Sequence, residues 1–244
     1  MFICNRYLKL VMFLGILSGC ANAPDELSLN DRDPYEEFNR DIFAFNLKLD
    51  DYVVEPAATG YRKLPQVNQD MLTNFADWTT MPSTSVNSAI QGDADNAALG
   101  VLNFLVNGLT LGLVDLTDDS DDPDRTDFDD TLRGYGVPQG QYIVLPLLGP
   151  GSTRSHSAWL VDSVTNPLRF ASTPAASTIN AVSTPVSVVT FRGNNYDLIN
   201  DVKYGSLDPY SRTRSIYFQY DANTNTPEDQ SEDDVFDTFI QSQE

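Results

Sequence analysis

A chain of 244 residues carries 35 acidic against 15 basic side chains, a formal charge of −20, with one histidine and two cysteines. That balance excludes nucleic-acid binding through phosphate contacts, and it repels anionic head groups unless apolar surface takes over. A single histidine, His156, cannot build a histidine metal cluster, and carboxylates are too common here for a pair of them to stand out.

The chain opens with Arg6 and Lys9, then an apolar run from Leu10 to Leu17. Crossing a hydrocarbon core takes about 20 helical residues, so this run is too short to span and residues 1–19 read as a signal peptide. Its end, Leu17-Ser18-Gly19-Cys20, resembles the bacterial lipobox. The resemblance implies cleavage before Cys20, a diacylglycerol on its thiol and an acyl chain on its amine. Each buried methylene contributes ~0.8 kcal/mol, so the chains together hold the protein at a membrane. Ala21, where an Asp would retain such a lipoprotein in the inner membrane, points to the outer membrane of a Gram-negative cell. Losing the signal removes two cations and no acid, which takes the charge from −20 to −22. With Cys4 removed and Cys20 acylated, no thiol is left for a disulfide or a metal site.

Residues 20–32 read as a polar tether. Asp33-Pro34-Tyr35-Glu36 then predicts a helix start, with Asp33 as N-cap, Pro34 at the first helical position and Glu36 closing a capping box. Phe38, Ile42, Phe45, Leu49 and Tyr52 follow at spacings of 4, 3, 4 and 3. The pattern predicts an amphipathic helix ended by Glu55-Pro56, and Phe43 and Leu47 add a second apolar edge, so that both sides are covered. Met71, Leu72, Phe75 and Trp78 predict a helix over 68–80, stopped by Met81-Pro82. A short helix over 84–91 ends at Gly92.

From Ala97 to Val114 there is no charged residue. Asn103, Asn107, Gly100, Gly108 and Gly112 interrupt the run, and Asn107-Gly108 is a turn signal. The expected form is a hairpin: a helix to about residue 106, a turn, and a second apolar arm able to enter one leaflet. A buried helix pair has the same pattern. Glycine gives the backbone the angles a hinge needs, so Gly100, Gly108 and Gly112 make this hairpin a candidate hinge. The next stretch, 115–130, holds nine aspartates and lacks the glycine and terminal glutamate of a calcium-binding EF-hand loop, and reads as a solvated acidic loop.

Residues 134–153 are uncharged and rich in Gly and Pro; Pro138, Pro146 and Pro150 forbid a continuous helix, and an ordered apolar loop is expected. From Phe170 to Phe191, Pro174 and Pro185 suggest two short helices with a face of small residues. Tyr204 to Tyr220 reads as a last helix, entered at Asp208-Pro209. Beyond it, 221–244 reads as an acidic disordered tail, with an apolar stripe at Val235, Phe236, Phe239 and Ile240. No nucleophile elbow, zinc helix, phosphate loop or dinucleotide fingerprint occurs, so no catalytic residue, metal or cofactor is assigned.

Asp33-Pro34-Tyr35-Glu36-Glu37-Phe38-Asn39-Arg40, with Phe43-Ala44-Phe45-Asn46, resembles the opening of the MlaA (VacJ) lipoprotein family. Gly60-Tyr61-Arg62, Ser85-Val86-Asn87, Ile90-Gln91-Gly92-Asp93 and Gly134-Tyr135-Gly136-Val137-Pro138 follow in the family's order. So do Tyr142-Ile143-Val144-Leu145-Pro146-Leu147-Leu148-Gly149-Pro150 and the segment from Tyr204 to Tyr220, with Asp208-Pro209-Tyr210, Arg214, Tyr217 and Phe218. The resemblance spans 33–220, taken as one helical domain. It implies an all-α fold: a ring of helices in the inner leaflet of the outer membrane, around an amphipathic channel. It also implies removal of stray phospholipid from the outer leaflet, association with a trimeric porin, and hand-over to a soluble periplasmic carrier. A structural, envelope-stabilising lipoprotein and a phospholipid hydrolase are the competing classes. The chain departs from the family where Arg133 stands in place of a glycine and where a glycine is expected near Asp129, and where Ser155 follows Arg154 in place of an aspartate.

Overall fold

The computed structural model describes residues 32–117, 122–166, 168 and 173–224. The predicted signal peptide, Cys20 and the stripe at 235–240 lie outside them. The chain divides into a larger unit that runs to Asp197 and a smaller one from Leu198.

Helix predominates, as expected. In chain order the helices are α1 (Glu36–Leu49), α2 (Glu55–Arg62), α3 (Gln66–Trp78), α4 (Met81–Gln91), α5 (Ala94–Asn107), α6 (Phe128–Gly134), α7 (Thr153–Thr165), α8 (Pro174–Asn194), α9 (Tyr196–Gly205) and α10 (Pro209–Thr224). A two-stranded antiparallel hairpin, β1 (Tyr142–Leu145) and β2 (Gly149–Ser152), sits inside the expected apolar loop, with Tyr142 opposite Ser152 and Leu145 opposite Gly149. Leu147 and Gly149 take positive φ at its tip.

Several prolines act otherwise than the sequence suggests. Glu55-Pro56 does not end the first helix. A π-helical stretch, Asp50–Val54, carries it on into α2, and Glu55 N–H reaches back five residues to the Asp50 carbonyl. The wider turn accommodates a proline that has no N–H to give the ladder and would clash in an α-helix. Met81-Pro82 opens α4 instead of stopping α3, since a proline in the first turn loses no hydrogen bond. Pro185 lies within one long α8 where two short helices are expected. That helix packs along α2 and α3, and tertiary contact outweighs the lost bond. Gly193 lets it come close, since a Cβ there would meet the Tyr61 ring at 2.4 Å. Arg192, nearly fully buried, holds Asp50 with two nitrogens at 2.9 and 3.2 Å and so fastens α8 to the π turn.

The first helix is apolar on its open side. Phe38, Phe45 and Tyr52 are 54%, 50% and 82% exposed, whereas Asn39 is fully buried. The expectation that both apolar edges are covered therefore fails. The covered edge is polar. Asn39 takes the Val144 N–H on its Oδ1 at 2.9 Å and donates through Nδ2 to Asp33 at 2.7 Å and to the Tyr142 carbonyl at 3.2 Å. Two turns on, Asn46 accepts the Leu147 N–H and donates to the Leu145 carbonyl, each at 2.9 Å. Two amides thus pair the free edge of β1 as a third strand would. Asp33 serves this clamp; the helix itself starts at Glu36 without a side-chain cap bond.

Other buried contacts are equally polar. Asp162 on α7 accepts from Ser83 and Asn87 on α4, and from the N–H of Phe128 at the start of α6. The departures from the family pattern answer one another. Asp129 takes Arg154 at 2.8 Å and Arg133 at 3.3 Å, while Ser155 forms a capping box with Ser152. Asp127 and Asp130 cap α6. The described part of the acidic stretch is therefore bound into the fold and is not merely solvated.

His156 donates through Nε2–H to the Ile143 carbonyl, 3.0 Å away, and its burial pulls its pKa below the usual imidazole value. In the smaller unit Asp208 caps α10 through the Ser211 N–H, and Tyr210 and Phe218 are buried. Ser206 to Asp208 separate α9 from α10, so the last helix begins at Pro209 rather than Tyr204 and continues to Thr224, into the stretch expected to be disordered.

Candidate functional site

α5 is the helix with two different environments. Gly92, at φ +86°, ends α4, and Asp93 caps α5 by accepting the Asn96 N–H at 2.9 Å. The two helices then pack along their length. Gly100 lets them approach, since a Cβ there would lie 2.5 Å from the Ser85 hydroxyl. Gly100 is thus a packing position on the helix and not part of the turn.

Asn96, Asn103 and Asn107 fall on one stripe of α5, and all are buried. They hold the returning chain. Asn96 exchanges two hydrogen bonds with the backbone of Asp124. Asn103 donates to Thr117 and Asp122, each at 3.0 Å. Asn107 donates to Asn103 and Asp115 and accepts the Leu116 N–H at 2.7 Å. Burial would raise the Asp115 pKa, but hydrogen bonds from Thr117 and Asn107 outweigh it and hold the carboxyl below its ordinary value.

The helix ends at Asn107, close to the expected point. The second apolar arm, however, is not a helix: Gly108–Thr110 make one 3-10 turn, and 113–117 have no regular structure. Side chains supply backbone partners that a second helix would have made for itself: Asn107 takes the Leu116 N–H, and the Thr110 hydroxyl bonds both the N–H and the carbonyl of Val114. Leu111 and Gly112 turn the chain with φ of 58° and 72°. Gly112 presses on Trp78, where a Cβ would come within 2.5 Å, and a Cβ on Gly108 would lie 3.6 Å from the same indole. Trp78 stacks on Phe104 with ring centroids 5.1 Å apart and planes 7° from parallel, and its Nε1 donates to the Phe104 carbonyl at 2.9 Å.

That stack has a pocket of opposite character on each side. A polar one of about 260 Å³ is lined by Asp77, Trp78, Asn103, Asn107, Asp115 and Arg125, among others. Arg125 and Asp77 are ion-paired at 2.7 Å. An apolar groove of about 390 Å³ runs between α4 and α5 along Val86, Val101, Phe104 and Leu105. One helix therefore offers hydrogen-bonding groups on one face and hydrocarbon on the other. An amphiphile needs both, since a buried polar group without a partner costs about 1–3 kcal/mol and apolar surface gains only by leaving water.

Of the hairpin residues, Asn103, Asn107, Gly108 and Gly112 come together around Trp78, and Gly100 sits apart at Ser85. The family-motif residues gather elsewhere. Asp33, Asn39 and Asn46 clamp the β hairpin; Leu145, Pro146, Gly149 and Pro150 build it, and Pro34 leads into α1. Phe38 and Phe45 face outward. Arg40 pairs with Glu36 on the same helix at 2.7 Å. Gly136, at φ +75°, follows α6, Val137 offers its carbonyl to Arg154, and Pro138 comes next. None of them lines either pocket. The sequence names Trp78 only as one face of a helix and does not single out Phe104 or Asn96. The spacing of the asparagines at 96, 103 and 107 is a signal that was available. Among the described residues no group of three acids, histidines or cysteines is placed to hold a metal ion, and no helix is long and apolar enough to cross a membrane.

Comparison with known proteins gives a consistent result. The family model described as MlaA lipoprotein matches residues 31–224. An uncharacterized protein of Rickettsia bellii is 35% identical over 77% of this chain and 74% of its own length. The intermembrane phospholipid transport system lipoprotein MlaA of Haemophilus influenzae is 31% identical over 83% of each. Its Escherichia coli counterpart is 29% identical over 88% of this chain and 86% of its own. A chain solved for the structural basis of maintenance of bacterial outer membrane lipid asymmetry superposes with a TM-score of 0.64 at 28% identity, covering 77% of this chain and 96% of that one.

Proposed function

The chain belongs to the MlaA lipoprotein family, and on that premise we propose that it removes phospholipid from the outer leaflet of the outer membrane and passes it to a soluble periplasmic carrier. Flow in that direction keeps the two leaflets different in composition. Relatives named for intermembrane phospholipid transport support the reading, as does the solved neighbour's concern with lipid asymmetry. The observation that carries it in this molecule is the pairing of a polar pocket and an apolar groove across the Trp78–Phe104 stack. Head group and tail can be served by one helix.

Transport on this reading leaves the lipid chemically unchanged. Purified full-length protein in labelled liposomes, mixed with purified carrier, is expected to deliver lipid of unaltered mass. Lyso-lipid or free fatty acid in place of intact lipid would identify a hydrolase, and an absence of transfer would favour a structural lipoprotein. A strain lacking the protein is expected to accumulate phospholipid on its surface and to become sensitive to detergent with chelator.

Anchoring at the periplasmic face of the outer membrane through acylated Cys20 belongs to the same reading. Cys20→Ala is expected to leave an unprocessed or soluble form, and fractionation with the outer membrane at wild-type mass would refute the anchor. A trimeric porin is the proposed neighbour in the membrane. The turn over 107–112, held against Trp78 by Gly112, is the proposed gate between the two pockets.

A further inference from the structure

The groove between α4 and α5 is lined by Pro82, Val86, Val101, Phe104, Leu105 and Leu168. One polar side chain, Ser85, also lines it, and its hydroxyl already donates to the Met81 carbonyl at 2.9 Å. The walls therefore ask nothing of an occupant except that it have no hydrogen bonds to satisfy. A peptide segment brings backbone N–H and C=O groups and meets no partners here. A hydrocarbon chain brings none. The size agrees: about 390 Å³ lies near the lower end of the range that encloses a small ligand. Val86, Val101 and Leu105 at its mouth are exposed, so a chain that enters takes apolar surface out of water on both sides. Continuity with the polar pocket settles which hydrocarbon. Both pockets are built on α5, and the stacked rings of Trp78 and Phe104 line one each, so an occupant carrying a polar head has hydrogen-bonding groups on the neighbouring face of the same helix.

We infer that this groove is the subsite for one acyl chain of the transported phospholipid, an inference that rests on the transport reading above. Gly100 and Ser85 set its depth, because their contact fixes how closely α4 and α5 approach.

The test uses the full-length protein in liposomes containing a phosphatidylethanolamine with a diazirine at mid-chain. After irradiation, adducts are mapped by mass spectrometry, with the exposed Leu109 as the measure of bulk lipid contact. Wild type is expected to label at Val86, Val101 or Leu105 well above Leu109. Val86→Trp fills the groove, and Val101→Trp blocks its mouth from a position that is half exposed and so tolerant of bulk. Denying a few methylenes their burial is expected to cut groove labelling and lipid transfer by about tenfold or more, with Leu109 labelling unchanged. Circular dichroism shows that each variant has folded. Groove labelling no stronger than at Leu109, or undiminished in both folded variants, overturns the subsite. So does normal transfer with the groove filled, and in that case the transport reading stands. If wild type transfers no lipid, the transport reading fails, and the labelling pattern still decides whether a chain enters the groove. Labelling that appears only in Cys20→Ala protein would show that the molecule's own anchor occupies the groove, which also overturns the proposal.

Discussion

Asn39→Ala is expected to lower unfolding stability by roughly 3–5 kcal/mol, a large share of what a domain usually has. Three bonds disappear at a fully buried position: those to the Val144 N–H, the Tyr142 carbonyl and the Asp33 carboxylate. The first two partners lie in a buried strand edge, with Tyr142 and Val144 almost fully shielded from solvent, and each bears its own desolvation penalty. Asn39→Asp keeps the shape and the acceptor but loses the donor, and it places a second carboxylate 2.7 Å from Asp33. It is expected to be no better than alanine. Asn46→Ala, at a partly buried site with two bonds, is expected to cost about half as much. Denaturant titration of the purified protein in detergent, followed by circular dichroism, gives the order. Equal stability of wild type and Asn39→Ala would mean that the hairpin does not depend on the clamp.

Gly112→Ala is expected to disturb function more than its single methyl suggests. The position has φ +72°, where any Cβ is strained, and the added atom would lie 2.5 Å from the Trp78 Cβ. Backbone strain of about 1–2 kcal/mol and overpacking of about 1–3 kcal/mol both apply. The turn must lift or the indole must move, and either separates Trp78 from Phe104. The expected readouts are a red shift of Trp78 fluorescence in a Trp159→Phe background and a fall in lipid transfer, with helix content unchanged. A disulfide engineered across the turn, between residues of α5 and the 113–117 segment, is expected to block transfer until reduced. Normal transfer by the oxidised protein would remove the gate from the mechanism.

Local chemistry was the most legible part of the fold. Asp208-Pro209 caps a helix because capping needs only the residues at hand, and α5 ends at Asn107 because a turn signal acts over two or three positions. Proline was misread for the opposite reason. Whether Pro56, Pro82 and Pro185 break a helix depends on what the neighbouring turn and the packed partner can absorb, and neither is local. The face of α1 was misread because periodicity shows that a helix has two faces without saying what covers each. The second arm of the hairpin is uncharged like a buried helix, yet side chains satisfy its backbone, Asn107 taking the Leu116 N–H and Thr110 bonding both backbone groups of Val114. Periodic asparagines inside an apolar helix mark an internal scaffold, and they could have been recognised as such.

The interior that Asn39, Asn87, Asn96, Asn103 and Arg192 share has a thermal consequence. On unfolding, apolar surface raises the heat capacity by about 0.45 cal/mol/K per Å² and polar surface lowers it by about 0.26. Here many polar groups leave the interior, while Phe38, Phe45, Tyr52, Leu105 and Leu109 already stand outside it. The heat-capacity increment per residue therefore falls below the common value of about 12–15 cal/mol/K, and the stability curve is flat. A molecule with such a curve keeps nearly the same margin from a cold environment to a warm one, and cold denaturation recedes to temperatures that do not matter in water.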